Sequence, residues 1–447
     1  MGGMSDSSIG AARERALDPG GLARLLDLER RHQWHPFTAM AEWGDPARPP
    51  LVLVSGRGAW LSDADGNAYL DGNSSIWTNI HGHAHPRINA AIRDQLERVA
   101  HTSFLGFTHP LAIELGERLC GLWPAGTMTR VFFSDDGSTA IEAALKMSVQ
   151  FWQNVGQPGR SKFLAFSNAY HGDTMGASSL GGVPLFHERF ARFHFPVEHI
   201  RSAADLETIA DPKRIAAAVI EPGIQGVNGM RPWPPGTLRA LRDWCDRHGV
   251  LLIADEVMTG FGRTGRMFAC ELEGVVPDLV ALAKGLTGGY LPLAATLVRE
   301  RIYEAFLGGG DRTFFYGHSY TANPLGCAAA LASLDIFEEE RTLERVAVSA
   351  EILRTELDKL RSHPWIREIR QLGMISGIEL GRPDGSAFDP AERRGAAVCV
   401  AARAHGLLTR PIGDVIVLMP PLCMTTDEIE LAVRAIREGI REGCGGG

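Results

Sequence analysis

The chain has 447 residues, 45% of them apolar and 22% charged, a composition that supports a large folded core with a smaller companion. Its 45 Lys and Arg against 53 Asp and Glu leave a formal charge of −8 with no dense basic run, which argues against nucleic acid as the main partner. No apolar run is long enough to span a bilayer, so a membrane protein is not expected.

In chain order, the opening MGGMSDSSIGAARERALDPGG has no apolar signal core and reads as a loose polar tail over residues 1–29, neither leader nor anchor, with Met4 as an alternative start. Residues 30–105 mix strand-like and helical patterns and are expected to form the N-terminal part of a small domain. Within them HGHAHP (81–86) looks superficially like a metal site. No carboxylate or cysteine pattern accompanies it, so these read as turn histidines and no metal is expected. From 106 to 334 the apolar runs RVFFSDDG, KFLAFSN, AAAVIEP, GVLLIADE, PDLVALAKG and PLAATLV are strand-like. Helical segments such as STAIEAALKMSVQFWQN and PGTLRALRDWCDRHG separate several of them. Continuous apolar strands between helices predict an α/β fold whose large domain holds a mostly parallel sheet covered on both faces. Residues 335–447 are expected to return as the C-terminal part of the small domain, an α+β unit built from both chain ends. Seven cysteines (Cys120, Cys245, Cys270, Cys327, Cys399, Cys423, Cys444) follow no disulfide or metal spacing and predict reduced thiols in the cytoplasm.

Ligands of such sheets sit beyond the carboxyl ends of the strands, where this chain carries Asp135, Asp255 and Lys284. In SDDGSTAIEAALKM a strand ends, Gly137 and Ser138 turn, and a helix begins. That N-terminus is either an anion site or a plain cap by Ser138. Asp255 follows LLIA and is either one half of a structural pair with Arg263 or Arg266, or a carboxylate that keeps a cofactor ring nitrogen protonated. Lys284, in DLVALAKGLTGG, is either a snorkelling surface amine or a nucleophile whose pKa its apolar neighbours depress. Tyr170, in SNAYHGDTMGA, stacks on a flat ring or is merely a half-buried loop residue. Arg410, before a proline and a strand, docks a carboxylate or stays solvated. An anion pocket, a buried acid and a neutral amine together suit pyridoxal 5′-phosphate, which offers a phosphate, a ring nitrogen and an aldehyde.

The blocks IEPGIQG, LLIADEVMTGFGRTGRMFACE, PDLVALAKGLTGGYLPLAAT and NPLGCAAALASL, in this order, resemble the class III (omega) aminotransferases of fold type I, over residues 30–440. WHPFTAM, SSIWTNIHGHAHP, ALKMSVQFWQ, NAYHGDTMGA and TRPIGDVIVLMPP further resemble the branch that aminates 8-amino-7-oxononanoate in biotin synthesis. The resemblance implies a pyridoxal phosphate enzyme working as a homodimer with shared sites. Lys284 would be the Schiff-base lysine and proton shuttle, Asp255 the partner of the pyridinium nitrogen, and Glu221 a helper near the cofactor. Gly137 and Ser138 would take the phosphate, joined by His318 and Ser319 from the partner subunit. Tyr170 would stack on the ring, Trp77 line the pocket, Gly317 touch substrate and Arg410 hold the keto acid's carboxylate. Phe37 and Ile76 stand where many members have Tyr and Trp. They reshape the wall for the amino donor, S-adenosylmethionine or lysine, and leave an ornithine or 4-aminobutyrate type of aminotransferase as the alternative.

Overall fold

The computed structural model describes residues 17–45 and 49–445, so the first part of the expected tail, with Met4, lies outside the described residues. The tail reading is corrected in its second part. Pro19–His32 is a helix, capped by Asp18, whose side chain accepts from the N–H of Gly21 at 2.9 Å, with Pro19 in its first turn. The glycine pair after Pro19 looks like a loop but falls in the first turn, where the cap sets the geometry.

Seven strands form the large sheet: β1 (Arg130–Ser134), β2 (Lys162–Phe166), β3 (Val197–Ile200), β4 (Ile215–Ile220), β5 (Leu251–Asp255), β6 (Leu279–Leu282) and β7 (Ala294–Val298). Their order is β1-β7-β6-β5-β4-β2-β3. Neighbours are parallel from β3 through β6; β7 alone runs the other way, pairing antiparallel with both β6 and β1. The apolar runs are continuous because both faces are covered. Alternate residues of each strand face opposite layers. Leu252, Ala254, Val280 and Leu282 join one apolar cluster; Leu251, Ile253, Leu279 and Ala281 join the other. Helix α1 (Gly137–Asn154) covers the second face through Ile141, Ala144 and Leu145, while α2 (Thr237–His248) and α3 (Pro324–Glu339) cover the first.

Both chain ends return to one flank. The strands Leu53–Arg57, Trp60–Asp63 and Ala68–Asp71 form a sheet whose fourth strand, Leu407–Leu408, pairs parallel with Ala68–Asp71. A second four-stranded sheet, drawn from residues 366–418, lies nearby in sequence, with Val415–Leu418 pairing antiparallel with Ile375–Leu380. No described helix is long and apolar enough to cross a membrane.

One buried carboxylate ties these layers together. Asp278, at the start of β6, is 1% exposed; it accepts from Arg242 of α2 at 2.9 Å, Arg301 at 2.6 Å and the N–H of Leu252 in β5 at 2.9 Å. Asp278→Ala leaves the buried Arg242 with only the exposed Asp246, 2.8 Å away, so urea unfolding should show a loss of about 3 kcal/mol. An unchanged unfolding midpoint would show that this pair does not clamp the sheet.

Candidate active site

The carboxyl ends of β1, β4, β5 and β6, with the loop after β2, converge on one cavity of about 420 Å³. Its lining includes Trp77, Gly137, Ser138, Tyr170, His171, Glu221, Asp255 and Lys284. The central strands are buried on both faces, so the polar residues that end them leave water while staying at the sheet's edge.

Asp255 ends β5 and is 5% exposed. Its Oδ1 accepts from the N–H of Val257 at 3.1 Å, and its Oδ2 lies 2.7 Å from Nδ1 of His171. The alternative of a structural pair with Arg263 or Arg266 does not hold. Arg266 is exposed, and Arg263, wholly buried, donates to the carbonyl oxygens of Asn79 and Pro420 instead. Burial of His171 opposes its charged form, but the hydrogen bond and charge of Asp255 outweigh it and raise its pKa. His171 is thus the hydrogen-bond partner that a desolvated carboxylate requires.

Glu221, just after β4, steadies the same loop: its carboxylate accepts from the N–H of Gly226 at 2.9 Å and of Tyr170 at 3.3 Å. Burial raises its pKa to about 7, against the pull of His171. Tyr170 is half-buried and donates to Asp173 at 2.6 Å; burial, then that neighbouring carboxylate, raises its pKa.

At the start of α1 the plain-cap reading of Ser138 does not hold. Asp136, not Ser138, is the cap, accepting from the N–H of Thr139 at 2.9 Å while Thr139 answers Asp136. Ser138 is left on the cavity wall, where its hydroxyl accepts from the N–H of Asp173 at 3.2 Å. The first-turn amides of Gly137 and Ser138 have no intrahelical acceptor and carry the positive end of the helix dipole. Glycine is required on both sides of this contact. A Cβ at Gly137 would sit 2.7 Å from Val257, and one at Gly172, where φ is +125°, would sit 2.2 Å from the Ser138 hydroxyl.

Lys284 begins a short 3₁₀ turn at φ +43°, a strained conformation for a residue with a Cβ. Its Nζ lies 4.7 Å from the centre of the Trp77 ring. Removal from water lowers the amine from 10.5 to about 8, while the charges of Asp255 and Glu221 resist the fall. Trp77 itself ends a left-handed turn: Ser74, Ser75, Ile76 and Trp77 have φ of 47°, 51°, 72° and 69°. Left-handed backbone costs roughly 1–2 kcal/mol per non-glycine residue, and a β-branched isoleucine there is a true outlier.

Other sequence candidates lie elsewhere. Phe37 is 66% exposed and reaches Tyr170 only through Phe186, against which both pack edge-on, at 5.7 and 6.0 Å. Ile76 is 43% exposed, one residue from the lining. Gly317, Ser319 and Arg410 are exposed and His318 is half-buried; none lines the cavity of this protomer, although His318 approaches Asp135 on its wall at 3.5 Å. Sequence reading missed His171, whose only signal is its place between Tyr170 and Gly172. Among the described residues no group of three or more His, Cys, Asp or Glu gathers as metal ligands.

Residues 40–440 match the family described as aminotransferase class-III. The chain is 51% identical to the adenosylmethionine-8-amino-7-oxononanoate aminotransferase of Nitratidesulfovibrio vulgaris, over 94% of this chain and 82% of that one. The crystal structure of the enzyme of that name from Methanocaldococcus jannaschii is similar with a TM-score of 0.91 and 37% identity, covering 94% of this chain and 99% of the other. A PLP-bound amine transaminase from an uncultivated Pseudomonas species is similar with a TM-score of 0.86 and 36% identity, covering 92% and 98%.

Two measurements follow. In protein freed of small molecules, Lys284 should be modified by an amine-selective reagent with a midpoint near pH 8, because a lowered pKa leaves the neutral nucleophile present above that value and lost below it. A midpoint near 10.5 would place the amine in water. Gly172→Ala should weaken cofactor retention at least tenfold, since the new Cβ and Ser138 cannot share the space; unchanged retention in equilibrium dialysis would contradict that packing.

Proposed function

Because this chain belongs to the class III aminotransferases, we propose that it transfers an amino group to the 7-keto carbon of 8-amino-7-oxononanoate, giving 7,8-diaminononanoate for biotin synthesis. The family is pyridoxal 5′-phosphate dependent, and this chain is such an aminotransferase. The observation that carries the reading is the approach of an amine of lowered pKa and a buried, histidine-backed carboxylate to a single cavity.

The residues present fit the cofactor. Asp255, hydrogen-bonded to His171, would stand at the ring nitrogen and keep a proton there. The amides of Gly137 and Ser138 would take the phosphate, and the two close glycine contacts keep that cradle free of side chains. Tyr170 would cover the ring, with Glu221 fixing its backbone and Asp173 its hydroxyl. When bound, the cofactor supplies an electron sink and an aldehyde that carries the amino group between two substrates. Lys284 is the residue that would hold the aldehyde, and its amine, titrating near pH 8, would take up and return a proton at Nζ. Trp77, Val257 and Met258 keep water from the reacting atoms.

The amino donor assigned is S-adenosylmethionine, in keeping with the relatives' names, with lysine as the competing donor. Phe37 and Ile76, outside the buried lining, would form the outer wall met by the bulky part of the donor. Arg410, an exposed guanidinium outside the buried lining, would meet the keto acid's carboxylate. The working form would be a homodimer, in which Gly317, His318 and Ser319 serve the partner's site. Exposed Leu105, Phe107, Phe315 and Tyr320 support a buried subunit interface. The seven free cysteines support a cytoplasmic setting.

Purified enzyme given 8-amino-7-oxononanoate should form the diamine with S-adenosylmethionine, in ping-pong kinetics. Formation with lysine alone would reassign the donor, and formation with neither would refute the substrate. Lys284→Ala should abolish turnover while retaining non-covalent cofactor; wild-type rates in that variant would remove the lysine from the chemistry. Arg410→Ala should raise KM for the keto acid roughly ten- to hundredfold, the worth of a charged hydrogen bond, and an unaltered KM would move the carboxylate site elsewhere.

A further inference from the structure

We propose that Asp71, which does not line the cavity, is a positioning residue that locks the left-handed turn carrying Trp77 and so shapes the amine and donor side of the site. This inference rests on the reading of the cavity as an aminotransferase site.

Asp71 closes the strand Ala68–Asp71 and is 3% exposed. Its Oδ1 accepts from the N–H groups of Asn73 at 3.3 Å and Ser75 at 3.1 Å; its Oδ2 accepts from the Ser75 hydroxyl at 3.1 Å. All three donors lie in or just before the strained turn. The fourth partner is His83, whose Nε2 is 2.9 Å from Oδ2. Its proton is placed by a chain of fixed amides. The N–H of Gly82 donates to Asn79 Oδ1 at 2.7 Å, which leaves Asn79 Nδ2 to donate to His83 Nδ1 at 3.2 Å. His83 then carries its proton on Nε2 and points it at Asp71. The far side of the turn is pinned by Ser74, whose hydroxyl donates to the carbonyl of Met419 at 2.7 Å, and Trp77 Nε1 donates to Asn73 at 2.9 Å.

Four consecutive non-glycine residues hold a disfavoured conformation only when their surroundings over-determine it. The Asp71 carboxylate supplies that determination at the backbone itself. What the turn delivers is one flat indole over the Lys284 amine, 4.7 Å away, and Ile76 at the rim. Asp255, Glu221 and Arg263 are the charged groups acting on that amine; none of them hydrogen-bonds Asp71, whose charge is felt by Arg263. If the turn relaxes, the indole withdraws and water reaches Nζ.

The test compares Asp71→Ala, Asp71→Asn and Trp77→Phe. In cofactor-free full-length protein, Asp71→Ala should raise the pH midpoint of Lys284 modification by about one unit, because burial is the main force lowering it. In the holoenzyme it should raise KM for the amino donor about tenfold with kcat changed less than about threefold, the signature of lost positioning rather than lost chemistry. Asp71→Asn keeps an oxygen for the Ser75 amide and should recover most of both. Should Asp71→Ala fail to fold, Ser75→Ala removes one of the four bonds at an exposed position and should give a smaller shift in the same direction. A folded Asp71→Ala or Ser75→Ala with unchanged midpoint and donor KM would overturn the inference. Trp77→Phe separates the two levels: if it alone alters donor KM, only the role of Asp71 falls, and if no variant does, the assignment of the cavity falls with it.

Discussion

The contact between His171 and Asp255, 2.7 Å long and closed to water, is the interaction on which the site depends. A carboxylate at the end of a doubly covered strand loses hydration and needs a hydrogen-bond partner in its place. His171 is that partner. It is held high by the acid it serves, and Glu221 adds charge from behind. Because the histidine is neighboured by Tyr170 and Gly172, the same pairing fixes the loop that covers the cavity and touches Ser138. Electrostatics and loop geometry are therefore one problem, solved at one pair of side chains.

The opposite wall is held by strain rather than by charge. Lys284 and the four residues from Ser74 to Trp77 all take left-handed backbone angles, and they meet where the amine faces the indole. Strain of this kind is tolerated at sites where packing and hydrogen bonds leave no alternative. The sheet supplies that rigidity: Asp278 binds α2 to β5 and β6, the two strands that end in Asp255 and just before Lys284. Stability spent far from the cavity keeps its two reacting groups in register.

Much of this was legible in the amino-acid sequence, for a physical reason. Strands buried on both faces must be continuously apolar, and six such runs stand out with polar residues at their ends. Those ends are where Asp255 and Lys284 were expected and where they lie. The strand Val197–Ile200 escaped because it is a short edge strand, half-exposed, with Glu198 and His199 breaking the apolar pattern. The partner of Asp255 escaped because it lies 84 residues away, so no local spacing points to it. The helix Pro19–His32 was hidden by glycines in its own first turn. The bracing of the 74–77 turn by Asp71 and His83 was hidden too, since the histidines of HGHAHP carry no mark of the tautomer that Asn79 imposes. Phe37, Gly317, His318 and Ser319 came from family resemblance, and Arg410 also from its place before a proline and a strand; a single protomer places all five outside the buried lining.

The central claim is that the amine at 284 and the acid at 255 serve the two ends of one bound pyridoxal phosphate. Borohydride reduction of the holoenzyme, followed by digestion and mass spectrometry, tests it directly. The account predicts one pyridoxyl-phosphate mass per chain, on the peptide containing Lys284, with the label strongly reduced in Asp255→Ala. A label on another lysine, or undiminished labelling without Asp255, would contradict it.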